Sequence, residues 1–303
     1  MTPRLVLAIA MLSASLGPPH ADAQMRTREA WLALAKSGFV VPPGEAAAGL
    51  LVDMNALLAS PDPVLRDEVA YSAAATWIAS KRLVGPDDLR RLLTLWSANL
   101  DDGLGTSGDD RVLKRSFSAL CLSLIAAREA ATPFLTAAEV DTFHTRLLDY
   151  FARERDTRGF VAERGWIHSA AHTADAFKFL ARGPHWTPVH TSRLLDAMAR
   201  KLDAVDTVFV WGEPERLGAA LHAAVRRPDA DTPAFEAWTT RWVERHTALW
   251  AGGPAVDPAR FVVVENAKQT LRALVTLLAM ETSPTPTGES ARRAALAALA
   301  RMR

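Results

Sequence analysis

Apolar residues recur every three to four positions along nearly the whole chain, and this spacing restricts the possible folds more than any other feature. Sustained alternation of apolar and polar residues, which would predict strands, does not occur; Thr207–Trp211 is the one short segment of β-like composition. The sequence therefore predicts an all-α fold. The predicted helices lie at residues 27–37, 44–59, 62–81, 86–99, 109–129, 136–155, 165–182, 187–204, 213–226, 231–250, 257–281 and 287–302.

Boundary residues support many of these helices. Thr136 and Glu139 have the spacing of a capping box, in which each side chain bonds the backbone of the other residue. The Gly183-Pro184 pair ends one helix, because proline cannot continue the hydrogen-bond ladder.

Helices joined by short loops are compatible with two architectures. One is a HEAT-like α-solenoid of helical hairpins, in which each pair buries its apolar face against the next. The other is a closed α/α ring. The spacing of the pairs is irregular, roughly 35 to 50 residues, so the element pattern alone supports a repeat. We favour the open solenoid, because a closed double ring usually needs a longer chain.

Residues 1–23 have the composition of a secretory signal peptide. A basic start is followed by the apolar run LVLAIAMLSASL, a Gly-Pro-Pro break and small residues up to Ala23. Twelve helical residues span only about 18 Å, too little for a hydrocarbon core of about 30 Å. We therefore expect cleavage after Ala23, a periplasmic or secreted protein, and one all-α domain at 24–303.

Charge and cysteine content exclude several classes of partner. The net charge of +1 argues against a nucleic-acid partner, which would require a basic face. The apolar stretch at 257–281 contains Glu265, Lys268 and Arg272, so we expect no membrane span in the mature chain. Cys121 is the only cysteine, which precludes an internal disulfide. The partner is left open as a small molecule or a protein.

The segment at 153–186, RERDTRGFVAERGWIHSAAHTADAFKFLARGPHW, concentrates polar and aromatic residues. It resembles the bacterial family called domain of unknown function 2785, which shows an acidic-Arg-Gly-aromatic-Val stretch followed by Gly-Trp-x-His-x-x-x-His-x-x-Asp. LRDEVAYS at 65–72, RSFSAL at 115–120 and EPERL at 213–217 are similar too. The motif positions are Asp156, Arg158, Gly159, Phe160, Val161, Gly165, Trp166, His168, His172 and Asp175.

The resemblance implies a helical fold and leaves the function open, because the family has no established activity. The chain departs from the pattern at residues 169–171, and at Thr173 where glycine is expected.

On a continuous helix after Gly165, the side chains of His168, His172 and Asp175 would lie within about 60° of one another. Two histidines four residues apart can share a metal ion. Asp175 would be about 10.5 Å along the axis from His168, too far to join them. We therefore expect Asp175 to pair with His172 and orient it.

These residues support three interpretations. The first is a ligand-binding protein whose concave face is centred on 156–175. The second is a hydrolytic enzyme with His168 or His172 as general base or metal ligand and Asp175 as its orienting partner. The third is a purely structural interaction module. A metal site is not favoured and no cofactor is required. The proposed ligand-binding residues are Asp156, Arg158, Trp166, His168, His172 and Asp175.

Other polar residues lie in apolar helices, and we expect them to form Arg–carboxylate pairs that join neighbouring elements. They are Arg66, Asp67, Arg115, Glu213, Glu215 and Arg216, with Ser116 beside them. Several of the nine tryptophans could line a groove, although packing in the core is the simpler expectation. These are Trp166, Trp186, Trp211, Trp238, Trp242 and Trp250.

Overall fold

The computed structural model describes residues 26–253 and 255–303, so the predicted signal peptide lies outside the described residues. This part of the chain is mostly helical, which confirms the all-α prediction. The helices are α1 (Arg28–Lys36), α2 (Ala47–Asp53, continued by the 3₁₀ segment Met54–Ala59), α3 (64–80), α4 (Pro86–Asn99), α5 (Arg111–Ala131), α6 (Ala137–Arg153), α7 (Ser169–Leu180), α8 (Pro188–Ala204), α9 (Glu213–Val225), α10 (Thr232–Trp250), α11 (Pro258–Ala279) and α12 (Pro286–Arg301).

The predicted boundaries lie within three residues of the observed ones, except at the start of α7. The predicted capping box at Thr136 and Glu139 is present: Thr136 Oγ1 accepts from the Glu139 amide, and the Glu139 carboxylate accepts from the Thr136 amide. The segment Thr207–Trp211 has no strand structure, so its β-like composition was misleading. In this irregular loop Phe209 is buried, whereas Val210 and Trp211 are exposed.

The helix predicted at 165–182 is wrong in its first turn. A short antiparallel hairpin lies there instead, formed by β1 (Phe160–Val161) and β2 (Gly165–Trp166). Gly165 has φ +70°, a left-handed conformation that favours glycine. His168 follows with φ 51°, and α7 begins only after it. The strands are only two residues long, too short for a periodic pattern to reveal them.

The helices pack in two layers. In the inner layer α5 packs against α7, α7 against α9, and α9 against α11. In the outer layer α6 packs against α8, α8 against α10, and α10 against α12. One hydrophobic core extends continuously from Trp31 on α1 to Met302 after α12. Such stacking is what helical repeats require, whereas the HEAT-like solenoid, the closed ring and the single-domain assignment stay predictions.

Within the described residues, no helix combines the length and the hydropathy needed to cross a membrane.

Candidate functional site

The segment from Glu154 to His168, between α6 and α7, is held at its start by a buried ion pair. The Glu154 carboxylate accepts two hydrogen bonds from the Arg115 guanidinium on α5, at 2.6 and 2.9 Å. Both side chains are almost fully buried. The Glu154 carbonyl accepts from Lys201 Nζ on α8 at 2.6 Å. Two helices, α5 and α8, are thereby joined to the first residue of the loop.

Asp156 and Arg158 form a second brace within the same loop. Asp156 is 1% exposed, and its carboxylate accepts from Arg158 Nη2 at 2.6 Å and from the Gly108 amide at 2.9 Å. Arg158 Nη2 also donates to the Asp109 carbonyl at 2.8 Å. The Ser169 hydroxyl at the start of α7 donates to the Asp156 carbonyl. These two predicted ligand-binding residues are thus engaged with the protein itself.

The hairpin is held at its turn by Arg66 on α3. Its Nη2 donates to the Arg164 carbonyl at 2.5 Å, and its guanidinium lies over the Phe117 ring at 4.6 Å. At the other end of the hairpin, Gly159 packs against Trp211. A Cβ on Gly159 would lie 2.2 Å from the indole, so only glycine permits this contact.

His168 lies before α7 and not on it, which corrects the predicted helical face. Its Nε2 lies 2.7 Å from the Trp211 carbonyl and 3.5 Å from the buried Glu213 carboxylate. A carbonyl only accepts, so Nε2 carries the proton and Nδ1 keeps a lone pair in the neutral ring. Burial lowers the pKa of His168, which outweighs the opposing effect of Glu213. The imidazole is therefore neutral near pH 7.

His172 lies on α7, and its Nδ1 is 2.8 Å from the Ser116 hydroxyl. That hydroxyl donates its single proton to the Ile167 carbonyl, so Nδ1 must be the donor to Ser116. The lone pair of the neutral ring then lies on Nε2. Burial, together with the charges of His168 and Arg216, lowers the pKa of His172 well below its ordinary value.

Asp175 does not pair with His172 as predicted. Its Oδ1 accepts from Lys178 Nζ at 2.7 Å, and its Oδ2 accepts from Arg216 on α9. The prediction was wrong because it assumed that Asp175 would hydrogen-bond to the nearest polar side chain on its own helix. Two cations attract a buried carboxylate more strongly than a neutral imidazole does.

The expected Arg–carboxylate pairs are present in three cases. Arg115 pairs with Glu154, Arg216 with Asp175, and Arg66 with Asp67. The first two join separate helices or loops, as predicted.

Three large aromatic side chains lie together at the surface, two from this loop and one from the segment before α9. We call them the aromatic surface: Phe160, Trp166 and Trp211. Their exposed fractions are 39%, 40% and 47%. Trp166 meets Phe160 at 5.1 Å and Trp211 at 6.1 Å between ring centroids. Trp166 also stacks on the His168 ring at 4.6 Å. The motif residues Trp166 and His168 are therefore in direct contact.

A groove of about 500 Å³ runs beside the aromatic surface, between the loop and the segment before α9. Phe160 and Trp211 form part of its wall. The remaining wall mixes polar and apolar residues, among them Ser107, Arg155, Thr157, Asp206, Thr207, Val161, Val208, Phe209 and Val210. Sequence reasoning did not identify this groove, because its wall comes from three loops that are distant along the chain.

Of the other tryptophans considered for a groove, all but one are buried in the core. Trp186, Trp238 and Trp242 are buried, while Trp250 is 46% exposed on α10. Among residues 26–253 and 255–303, no three His, Cys, Asp or Glu side chains are grouped as metal ligands would be.

Fold and site together define a two-layered all-α protein with an exposed aromatic surface on a braced loop. Residues 100–276 match a family model described as Protein of unknown function (DUF2785). The match covers more than half of the chain, including the whole loop and all of α5 to α10. The chain therefore belongs to this family, which confirms the resemblance; the similar stretch at 65–72 precedes the matched region. Comparisons with curated proteins and with solved structures give no match.

Proposed function

We propose that this protein binds a ligand through the aromatic surface and the adjoining groove, with His168 at their edge. The observation that carries the proposal is that Phe160, Trp166 and Trp211 remain about two-fifths exposed while in mutual contact. Isolated exposed apolar residues are common, but contiguous exposed aromatic groups are typical of binding sites. Tryptophan supplies a large contact area with little loss of side-chain entropy on binding.

The rigidity of the loop supports the same proposal. Arg115 with Glu154, and Arg158 with Asp156, hold the backbone before the hairpin, and the Ser169 hydroxyl joins the backbone after it to Asp156. A site that is already ordered loses less conformational entropy when a ligand binds. In this proposal Asp156, Arg158, His172 and Asp175 position the surface, whereas Trp166 and His168 contact the ligand.

The hydrolytic alternative receives less support. A general base is most effective when its pKa is near the working pH. The pKa of His172 lies well below its ordinary value because the ring is buried, so it would be a weak base. The alternative of a purely structural interaction module accounts for the buried ion pairs, but it does not require the groove beside the aromatic surface.

Binding can be tested with a thermal-shift panel of neutral oligosaccharides, nucleotides, dipeptides and fatty acids. At least one class should raise the melting temperature of the parent protein. The double variant Trp166→Ala/Trp211→Ala should stay folded and lose that rise, because both side chains lie at the surface, 40% and 47% exposed, and outside the hydrophobic core.

The matched control is Trp250→Ala, which removes an equally exposed tryptophan away from the loop. Its response to the panel should equal that of the parent. A parent protein that responds to no class, or a double variant that responds like the parent, would contradict the proposal.

We also propose that the protein acts outside the cytoplasm, on the basis of residues 1–23. Expression in a Gram-negative host should yield periplasmic protein that begins at Gln24. Amino-terminal sequencing of the periplasmic fraction checks this, and material that still begins at Met1 would refute it.

A further inference from the structure

The aromatic surface offers flat faces whose π-electrons carry partial negative charge. Such faces attract C–H bonds that carry partial positive charge, as on one side of a sugar ring. The chain presents three such rings within 5.1–6.1 Å of one another between centroids, with their planes inclined by 43–80°, and one face of Trp166 is covered by His168. A sugar ring that stacks on one free face would therefore also contact an inclined neighbouring ring.

The polar atoms next to these rings are neutral hydrogen-bonding groups. The hydrogen bond from Nε2 to the Trp211 carbonyl leaves a lone pair on Nδ1 of the neutral His168 ring. In the groove, the hydroxyls of Ser107, Thr157 and Thr207 can both donate and accept. This set is matched by a ligand whose hydroxyl groups also donate and accept.

Most charged side chains around the site are compensated. Asp156 is paired with Arg158, and Asp175 is shared by Lys178 and Arg216. Glu213, also in the groove wall, is buried; its carboxylate accepts from the Trp211 amide and lies 3.5 Å from Nε2 of the neutral His168. The two exposed charged residues of the wall, Arg155 and Asp206, are opposite in sign, so the exposed part of the wall favours a neutral ligand over an anion.

From these three features we infer that the ligand is a neutral carbohydrate, a class that combines a C–H face with many hydroxyl groups and has no charge. The inference rests on the proposed function and names the ligand class of that same site. The carbohydrate can be a free oligosaccharide or part of a polysaccharide, since both present the same chemistry.

The test is isothermal titration with neutral oligosaccharides of gluco-, manno-, xylo- and N-acetylated amino-sugar type, four to six units long. At least one should bind the parent protein. Trp211→Ala should weaken that binding at least tenfold, about 1.4 kcal/mol. Trp250→Ala should change it less than twofold. Uronic-acid oligosaccharides of equal length should bind more weakly than the neutral ones.

Electrophoresis in gels containing neutral polysaccharides separates the two sources. Retardation of the parent and not of Trp211→Ala, without oligosaccharide binding, would assign the site to a polymer. If no neutral carbohydrate binds in either form, the inference is overturned. The proposed function would still stand if another class of the thermal-shift panel acts through Trp166 and Trp211, and both would fail if no class does.

Discussion

Replacing Arg115 with alanine should lower the free energy of unfolding by about 3–5 kcal/mol, the usual cost of leaving one partner of a buried ion pair uncompensated. Glu154 is 3% exposed and receives both of its short charged hydrogen bonds from this guanidinium. The substitution also removes the donor to the Asp102 carbonyl. For a chain of this length the melting temperature should fall by roughly 6–10 °C. Denaturant titration of the parent and the variant measures the difference.

The neighbouring pair of Arg153 and Asp149 provides the control, because both side chains are about half exposed. Arg153→Ala should cost no more than about 0.5 kcal/mol. The double variant Arg115→Met/Glu154→Met should recover part of the lost stability, since neither charge is then stranded. Equal effects of Arg115→Ala and Arg153→Ala would show that the buried pair does not hold the loop.

Stability should fall as the pH is lowered below about 6.5, and His144 should account for a large part of the loss. His144 is fully buried between Phe177, Trp186 and His190. Among the described residues, neither ring nitrogen has a hydrogen-bond partner. Burial lowers the pKa of His144 to about 2, and the charges of His190 and Arg193 act in the same direction.

The direction of this pH dependence follows from the number of protons that the folded and unfolded chains bind. Between pH 6.5 and pH 2 the unfolded chain binds a proton at His144 that the folded chain does not. The free energy of unfolding is therefore unaffected by His144 above pH 6.5 and decreases by about 1.4 kcal/mol per pH unit below it. At pH 4.5 this amounts to about 2.7 kcal/mol. His172, whose pKa is also lowered by burial, acts in the same direction.

His144→Leu should flatten this dependence by one proton, as measured by chemical denaturation at a series of pH values from 7.5 to 4.5. Leucine has a similar volume and no group to protonate, so the core should remain packed. Met280→Leu, which replaces an exposed side chain without a titratable group, is the control and should follow the parent curve. Parallel curves for the parent and His144→Leu would contradict the assignment.

Much of the fold could be predicted because helical periodicity is a local property. Capping residues such as Thr136 and the Gly183-Pro184 pair marked where helices begin and end. The boundaries of α4 illustrate this, since Pro86–Asn99 was predicted without error. The hairpin was missed because two-residue strands have no periodicity to detect. Gly165, directly after the turn, has a left-handed backbone conformation. A glycine at the boundary of a helix looks the same in the sequence.

The ligand-binding role of the motif residues stays a prediction, and their contacts were not foreseen. Trp166 stacks on His168, and Trp211 reaches the same surface from a distant loop. The pairing of Asp175 could not be predicted from its own helix, because Arg216 reaches it from α9. Side-chain partners supplied by another helix depend on the packing of the layers, which one sequence does not give.

The central claim, that the aromatic surface binds a ligand, can be tested most directly by ¹⁹F NMR on protein labelled with 5-fluorotryptophan. The nine tryptophans can be assigned through single Trp→Phe variants. On addition of the neutral oligosaccharides, nucleotides, dipeptides and fatty acids in turn, at least one class should shift the resonances of Trp166 and Trp211. The resonances of Trp96 and Trp242, which are buried, should stay in place. A spectrum in which Trp166 and Trp211 never move, or in which only Trp250 does, would contradict the account.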